Sequence, residues 1–350
     1  MNKPAAGLAF CLACFSHLSF SSEAEIGFNF NIEASSEPVS IDDMINGWGS
    51  SVNSGEYAFA SAIASAFAQY NNVYLSAERR YYYYYEFTPD TVAWYAEVES
   101  GLESEAGRSI DLDVTSFDAR GVSAGYVFEG EADGATWKIL PTFTLYKVGH
   151  YQLGSLSGIS AAGEGTNASA YLDYYFDEDK ILNYRGEEDL RFGYSLSLQG
   201  QYQWNDKWLV NAKVSDLWNR FEFFQASYRQ GCINVGEVEE SVCNLGGGAA
   251  SGIDTNKDHQ INISPTLQLS STYLPQNVLA DIYWHEKYFN LTVGKYFKIR
   301  DVQVGALAST KKQVGVDLKF KGLRLNYLVD NLQINKVRDA RLQLSASYQW

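Results

Sequence analysis

The 350-residue chain carries 27 Lys and Arg against 42 Asp and Glu, a formal net charge of −15. That balance excludes a nucleic-acid surface, because phosphate binding needs a basic face. No segment after the first 22 residues has the about 20 continuous apolar residues of a spanning helix, so a helical membrane protein is excluded as well.

The chain opens with Lys3, an apolar run from Ala5 to Phe15, and small residues at Ser19, Ser21 and Ser22. A charged start, a short greasy core and a small-residue cleavage zone predict a secretory leader over residues 1–22. Lys3 is its only formal charge, so the remainder (−15 minus the +1 removed) carries −16. An exported chain without a spanning helix is either soluble or a closed barrel, since lipid leaves no water to pair open backbone groups.

Next, Ile26, Phe28, Phe30 and Ile32 alternate with Gly27, Asn29 and Asn31. A strand turns successive side chains to opposite faces, so this stretch has one greasy and one wet side. Residues 33–56 form a long polar connection with a short helix expected around Ile41–Asn46. Tyr57–Tyr70 fits either period, with Phe59, Ile63 and Phe67 at helical spacing; its β-rich flanks favour a strand. Tyr81, Tyr82, Tyr83, Tyr84 and Tyr85 follow Arg79 and Arg80. On a strand, Tyr81, Tyr83 and Tyr85 share one face, and Tyr82 and Tyr84 the other. They are read as a membrane-edge girdle backed by a packed inner wall, or as an aromatic slide for sugars or apolar solutes.

Shorter alternating runs follow at Val92–Val98, Val122–Phe128, Trp137–Leu145, Ala170–Phe176 and Trp208–Val214, with a longer one from Phe192 to Trp204. Residues 230–258, Gly-rich and acidic, read as the second long loop. Alternation resumes from Ile261 to Tyr273, at Val278–Trp284, Phe289–Phe297, Val302–Ala308 and Val314–Phe320. It ends with Ala340, Leu342, Leu344, Ala346, Tyr348 and Trp350 set between polar residues. Asn205-Asp206, Pro275-Gln276, Lys321-Gly322 and Asn331 mark reversals. The mean hydropathy of −0.25 conceals this pattern, because alternation averages greasy and wet faces. The polar positions are mostly Ser, Thr, Asn, Gln and Gly, where a soluble sandwich would crowd charges. Several strand ends carry Tyr or Trp.

The expected fold is all-β: a closed antiparallel transmembrane β-barrel of about 14 strands, within a range of 12–16, spanning 23–350 as one domain. Its inward face is expected to hold Arg80, Arg120, Lys138, Asp173, Arg191, Lys213, Asp317, Lys319, Arg324, Asp339 and Arg341. Charges of both signs facing a pore orient polar solutes; in a narrow barrel they pair and fill the lumen. Cys232 and Cys243 are expected to form a disulfide in the second long loop. Asp254, Asn256 and Asp258 have the spacing of a calcium loop, but His259 stands where the sharp-turn Gly belongs and Pro265 where the bidentate Glu belongs. A solvated acidic turn is the alternative, and no cofactor is expected apart from that Ca²⁺. His150, His259 and His285 lie beside no nucleophile motif, so no enzyme is expected.

The whole chain after the leader resembles the outer-membrane β-barrels of Gram-negative bacteria. In that family a terminal aromatic such as Trp350 is an assembly signal, which implies the barrel-assembly machinery, outer-membrane lipid and lipopolysaccharide as partners. The run from Leu274-Pro275 through NVLADIYWHEKYFNLTVGKYF to KKQVGVDLKFKGLRLNYLVD is similar to the end of barrels related to long-chain fatty-acid transporters. That resemblance implies an N-terminal plug and a hydrophobic substrate. The leading functional expectation is a passive channel for small solutes. The alternatives are a non-conducting adhesin or envelope scaffold, and a transporter of fatty-acid-like compounds. Oligomeric state is left open.

Overall fold

The computed structural model describes residues 24–48, 52–164, 166–179, 184–186, 189–236, 238, 241–243 and 250–350. The leader expected over 1–22 lies outside them, as does the Gly-rich centre of the second long loop. Fourteen described strands follow one another around a ring: β1 (Ala24–Ser36), β2 (Tyr57–Tyr70), β3 (Val73–Phe87), β4 (Ser109–Tyr126), β5 (Ala135–Ser160), β6 (Leu190–Trp204), β7 (Trp208–Val235), β8 (Thr266–Tyr273), β9 (Val278–His285), β10 (Tyr288–Ile299), β11 (Val302–Ser309), β12 (Val314–Phe320), β13 (Leu323–Val329) and β14 (Asp339–Gln349). Each pairs antiparallel with its sequence neighbour, and β14 pairs with β1 through Leu344 opposite Phe30, closing the sheet. Ala24 and Trp350 exchange backbone hydrogen bonds of 3.3 and 3.1 Å at the seam. Closure leaves no unpaired edge.

Tight turns lie at the end that holds Ala24 and Trp350. Asn71, Arg300 and Lys321 take positive φ there in two-residue hairpins, as right-handed twist favours, and Asn205 and Asp206 do so in the three-residue turn between β6 and β7. The long connections lie at the other end. In barrels of the outer-membrane type the short turns face the periplasm and the long loops face outward, which orients this chain.

Alternation decides the faces. Outward on β2 are alanines from Ala58 to Ala68, and inward are Tyr57, Phe59, Ile63 and Phe67, so a strand wins over the helical spacing. The outer face carries Leu75, Val122, Leu145, Val293, Val314 and Leu323, all more than half exposed. A continuous apolar belt of this kind is stable against hydrocarbon and not against water. Tyr126, Phe128, Trp204, Trp208, Tyr348 and Trp350 mark its periplasmic margin. The molecule is therefore a closed antiparallel transmembrane barrel. Among the described residues no helix is long and apolar enough to cross a membrane.

Three expectations are corrected. Val92–Val98 is helical, inside α2 (Pro89–Glu99); α1 is Ile41–Asn46, where a helix was expected. Thr88 caps α2 through Thr91 N, and Pro89 fills the first turn, where its missing N–H costs nothing. Residues 33–36 continue β1, so the first long connection starts at residue 37. Residues 230–258 are not one loop: β7 runs on to Val235, and Ala250–Ile261 is a further strand paired to it. A second accessory strand, Ala168–Phe176, bridges the outer ends of β5 and β7. These strands stand beyond the barrel as a sheet at the loop end. Cys232 and Cys243 are joined there, with Cα atoms 5.6 Å apart.

Candidate functional site: a lumen closed at one level

The lumen is the candidate site, and its two levels differ in chemistry. Toward the loops, inward aromatic side chains meet across the bore. The Phe59 ring on β2 lies 4.7 Å from the His285 imidazole on β9 and 5.8 Å from Tyr288 on β10. β2 and β9 are seven strands apart in a ring of fourteen, so these contacts join opposite walls. Tyr82 places its hydroxyl 2.9 Å from His285 Nε2, and Thr266 Oγ1 lies 3.0 Å from Nδ1. Both imidazole nitrogens are thereby occupied. Phe117 and Phe221 pack at 4.7 Å, and Tyr146 joins Phe221 at 5.6 Å. Phe59, Tyr82, Phe117, Phe221, Tyr288 and His285 are all at most 3% exposed.

Ion pairs complete this septum. Arg80 on β3 grips Asp216 on β7 bidentately at 2.8 and 2.7 Å, and Ser195 donates to the same carboxylate at 2.8 Å. Asp216 reaches inward because β7 bulges there, with φ of 58° and a register shift against Leu196–Leu198. On the other side Arg341 donates to Glu33 at 2.7 Å and Asp281 at 2.5 Å, while the Tyr288 hydroxyl donates to Glu33 at 2.5 Å. Lower in the lumen, at the vestibule wall, Arg324 and the Tyr296 hydroxyl hold Asp317 at 2.8 and 2.7 Å. Paired, hydrogen-bonded charges of this kind tolerate burial; single ones do not.

Below the septum the lumen opens into a polar cavity of about 480 Å³ that nearly the whole ring lines. Its walls are rich in amides, among them Asn29, Gln69, Gln199, Gln201, Gln268 and Gln343. A second cavity of about 250 Å³ reaches up to Arg80, Asp216 and Tyr146. Lys138 and Lys213 face the larger cavity. Neither forms an ion pair among the described residues; Lys138 makes only a 3.5 Å contact to Gln69. The vestibule therefore holds two cations without ion-pair partners among amides and the paired Asp281, Arg324 and Arg341, with the Glu78 carboxylate, which accepts from Tyr146, in the cavity above.

The other expected lumen residues are placed as follows. Lys319 lies inward over the Tyr296 ring at 4.3 Å. Arg191 faces the loop end, over Tyr151 at 4.9 Å and 3.3 Å from Asp177. Asp339 accepts from Ser35 at 2.7 Å. Arg120 was expected inside and is not: it is exposed on the outer face with Val122 and Tyr126. Asp173 sits on the accessory strand, accepting from Tyr228 at 3.2 Å, outside the barrel wall. In the tyrosine run, Tyr82 and Tyr84 are buried inside, while Tyr81, Tyr83 and Tyr85 face out. Asp254, Asn256 and Asp258 lie along a strand, with Asp254 paired to Arg229 at 3.0 Å and Asp258 accepting from Gln225 N at 2.9 Å. The three lie on a strand rather than in either a cation loop or a solvated turn, and among the described residues no group of three His, Cys, Asp or Glu is placed to hold a metal. The plug implied by the fatty-acid-transporter resemblance has no counterpart in the described chain, which begins directly as wall strand β1.

Sequence reasoning missed Glu33, Asp216 and His285. Glu33 shares parity with the inward Asn29 and Asn31, and His285 with Asp281 and Tyr283, so the face of each was readable. Asp216 depends on the bulge and was not.

No protein-family profile matches the chain, and no curated protein matches it. Among solved structures, the Pseudomonas putida toluene transporter TodX is 11% identical over 94% of this chain and 89% of its own, with a TM-score of 0.30. A TodX mutant described as a monoaromatic hydrocarbon channel is 12% identical over 94% and 90%, at 0.41. The Ralstonia pickettii toluene transporter TbuX is 10% identical over 95% and 90%, at 0.30. Likenesses this distant carry no substrate over to this chain.

Proposed function

We propose that this barrel is a gated outer-membrane channel for small polar solutes, with a preference for anions, and that the described conformation is its closed state. The observation that carries the reading is the amide-lined vestibule with Lys138 and Lys213 unpaired, lying directly beneath the septum. A barrel that served only as a scaffold has no need of a cavity whose charges are left without partners. Unpaired cations in a narrow bore attract and orient anions.

Liposome swelling tests the proposal. Wild-type liposomes should swell slowly. Liposomes carrying Phe59→Ala with His285→Ala should swell quickly in small sugars and faster in small carboxylates. If the opened variant, folded by heat-modifiable mobility, admits no solute, the barrel is not a channel. The septum itself favours one other reading, a non-conducting scaffold that presents the disulfide-tied sheet, and that outcome would select it.

A further inference from the structure

On the outer face of the barrel, Arg79 on β3 stands directly opposite Arg120 on β4, and Arg120 directly opposite Lys147 on β5. Three cations thus lie in one row across three neighbouring strands, about 4.8 Å from strand to strand. All three are exposed. Like charges directly opposite each other destabilise a sheet, and here two such pairs adjoin in a chain of net charge −15. The nearby acid is Asp118, 3.5 Å from Arg79 and also accepting from His150 N. Arg120 and Lys147 form no ion pair among the described residues.

The position of the row says what neutralises it. On the periplasmic side of the row the outward residues are apolar: Ala77, Leu75 and Val73 on β3, Val122 and Ala124 on β4, Leu145 and Phe143 on β5. Lys147 lies ten positions beyond Trp137, and Arg120 six beyond Tyr126 of the periplasmic margin, which at about 3.4 Å per residue and a tilt of about 40° is about 25 Å and about 16 Å against a belt about 25 Å tall. On the other side Tyr81, Tyr83 and Tyr85 continue outward, and Arg79 lies over the Tyr81 ring at 4.8 Å. Lys147 therefore sits at the outer edge of the hydrocarbon, and Arg79 and Arg120 lie below it with stems long enough to raise their guanidiniums toward the headgroups of the outer leaflet.

We propose that Arg79, Arg120 and Lys147 form a docking site for the phosphate groups of lipopolysaccharide, with its acyl chains lying on the Val122–Leu145 surface. The guanidiniums supply planar forks for phosphate oxygens, and Lys147 supplies a point charge. The site is separate from the lumen, so it stands or falls apart from the channel reading.

The full barrel in detergent is titrated with purified lipopolysaccharide, with the same lipopolysaccharide after phosphatase treatment, and with phosphatidylglycerol vesicles, and bound lipid per barrel is read by native mass spectrometry. Arg120→Ala with Lys147→Ala should weaken lipopolysaccharide binding by about tenfold or more, as loss of two headgroup-level cations predicts. Phosphatase treatment should weaken binding to the wild type similarly. Unchanged affinity in the folded double variant, or equal affinity for the dephosphorylated lipid, overturns the proposal. Equal affinity for phosphatidylglycerol also overturns it, by showing an unspecific anionic-lipid surface. Should the double variant fail to fold, Arg120→Gln alone serves: a fall of about threefold supports the site, and none contradicts it.

Discussion

The two levels of the lumen are built by the same ring of strands and differ in what their inward side chains do with one another. In the septum they meet across the bore, and the buried charges Arg80, Asp216, Glu33 and Arg341 are paired. In the vestibule they stop short of each other, and Lys138 and Lys213 keep their charge unpaired. The difference teaches that strand number does not fix whether a barrel conducts: large rings and paired charges at one level close it, while amides at another leave it open.

The comparison can be broken most severely at the septum's ion pair. Asp216→Ala leaves Arg80 buried without its carboxylate, and the barrel should lose about 3–5 kcal/mol, read as a lower urea midpoint for unfolding from detergent. Adding Arg80→Met should restore most of that loss. If the single variant is as stable as the wild type, the pair is not the closed, dry contact described. Cys232→Ser should cost less and elsewhere: the accessory sheet should become protease-sensitive, by about 2–4 kcal/mol of local stability, with the barrel's own unfolding unmoved.

A sharper cut comes from the vestibule. In the Phe59→Ala, His285→Ala background, Lys138→Gln with Lys213→Gln should move the reversal potential in a salt gradient from anion toward cation preference. Stability should change by less than about 0.5 kcal/mol, as removal of unpaired charges usually does. The smallest effect is expected at His259. It stacks 3.9 Å from the Tyr175 ring on the accessory sheet, and burial, opposed by Asp173 and reinforced by Lys257, lowers its pKa from 6.5. The unfolded imidazole binds a proton more readily, so this contribution is intact above pH 6.5 and is lost as pH falls through the lowered folded value. Protease sensitivity of the sheet should therefore rise in mild acid, and His259→Gln should flatten that dependence. The septum should stay closed throughout.

Much of the wall was legible because period-two alternation is a local property. The count of about fourteen strands and the inward course of Arg80, Lys213 and Arg341 follow from it, while the disulfide was legible from two cysteines in an exported chain. The errors have local causes too. Val92, Trp94, Ala96 and Val98 alternate, yet the Thr88-Pro89 start with Asp90 in the first turn is a helix signal that outweighs them. Arg120 shares its parity with Val122, Ala124 and Tyr126, which already set it among the lipid-facing residues. The septum was not legible, because contact between Phe59 and His285 depends on the width of the bore and on the relative heights of opposite strands. A bulge such as the one at Asp216 leaves no mark in hydrophobic alternation.

Planar-bilayer recording of the unaltered barrel measures the septum directly. Folded wild-type protein should give no steady current at moderate voltage, and Phe59→Ala with His285→Ala should give one. A stable open-pore conductance from the wild type would contradict a lumen closed by contact between opposite walls.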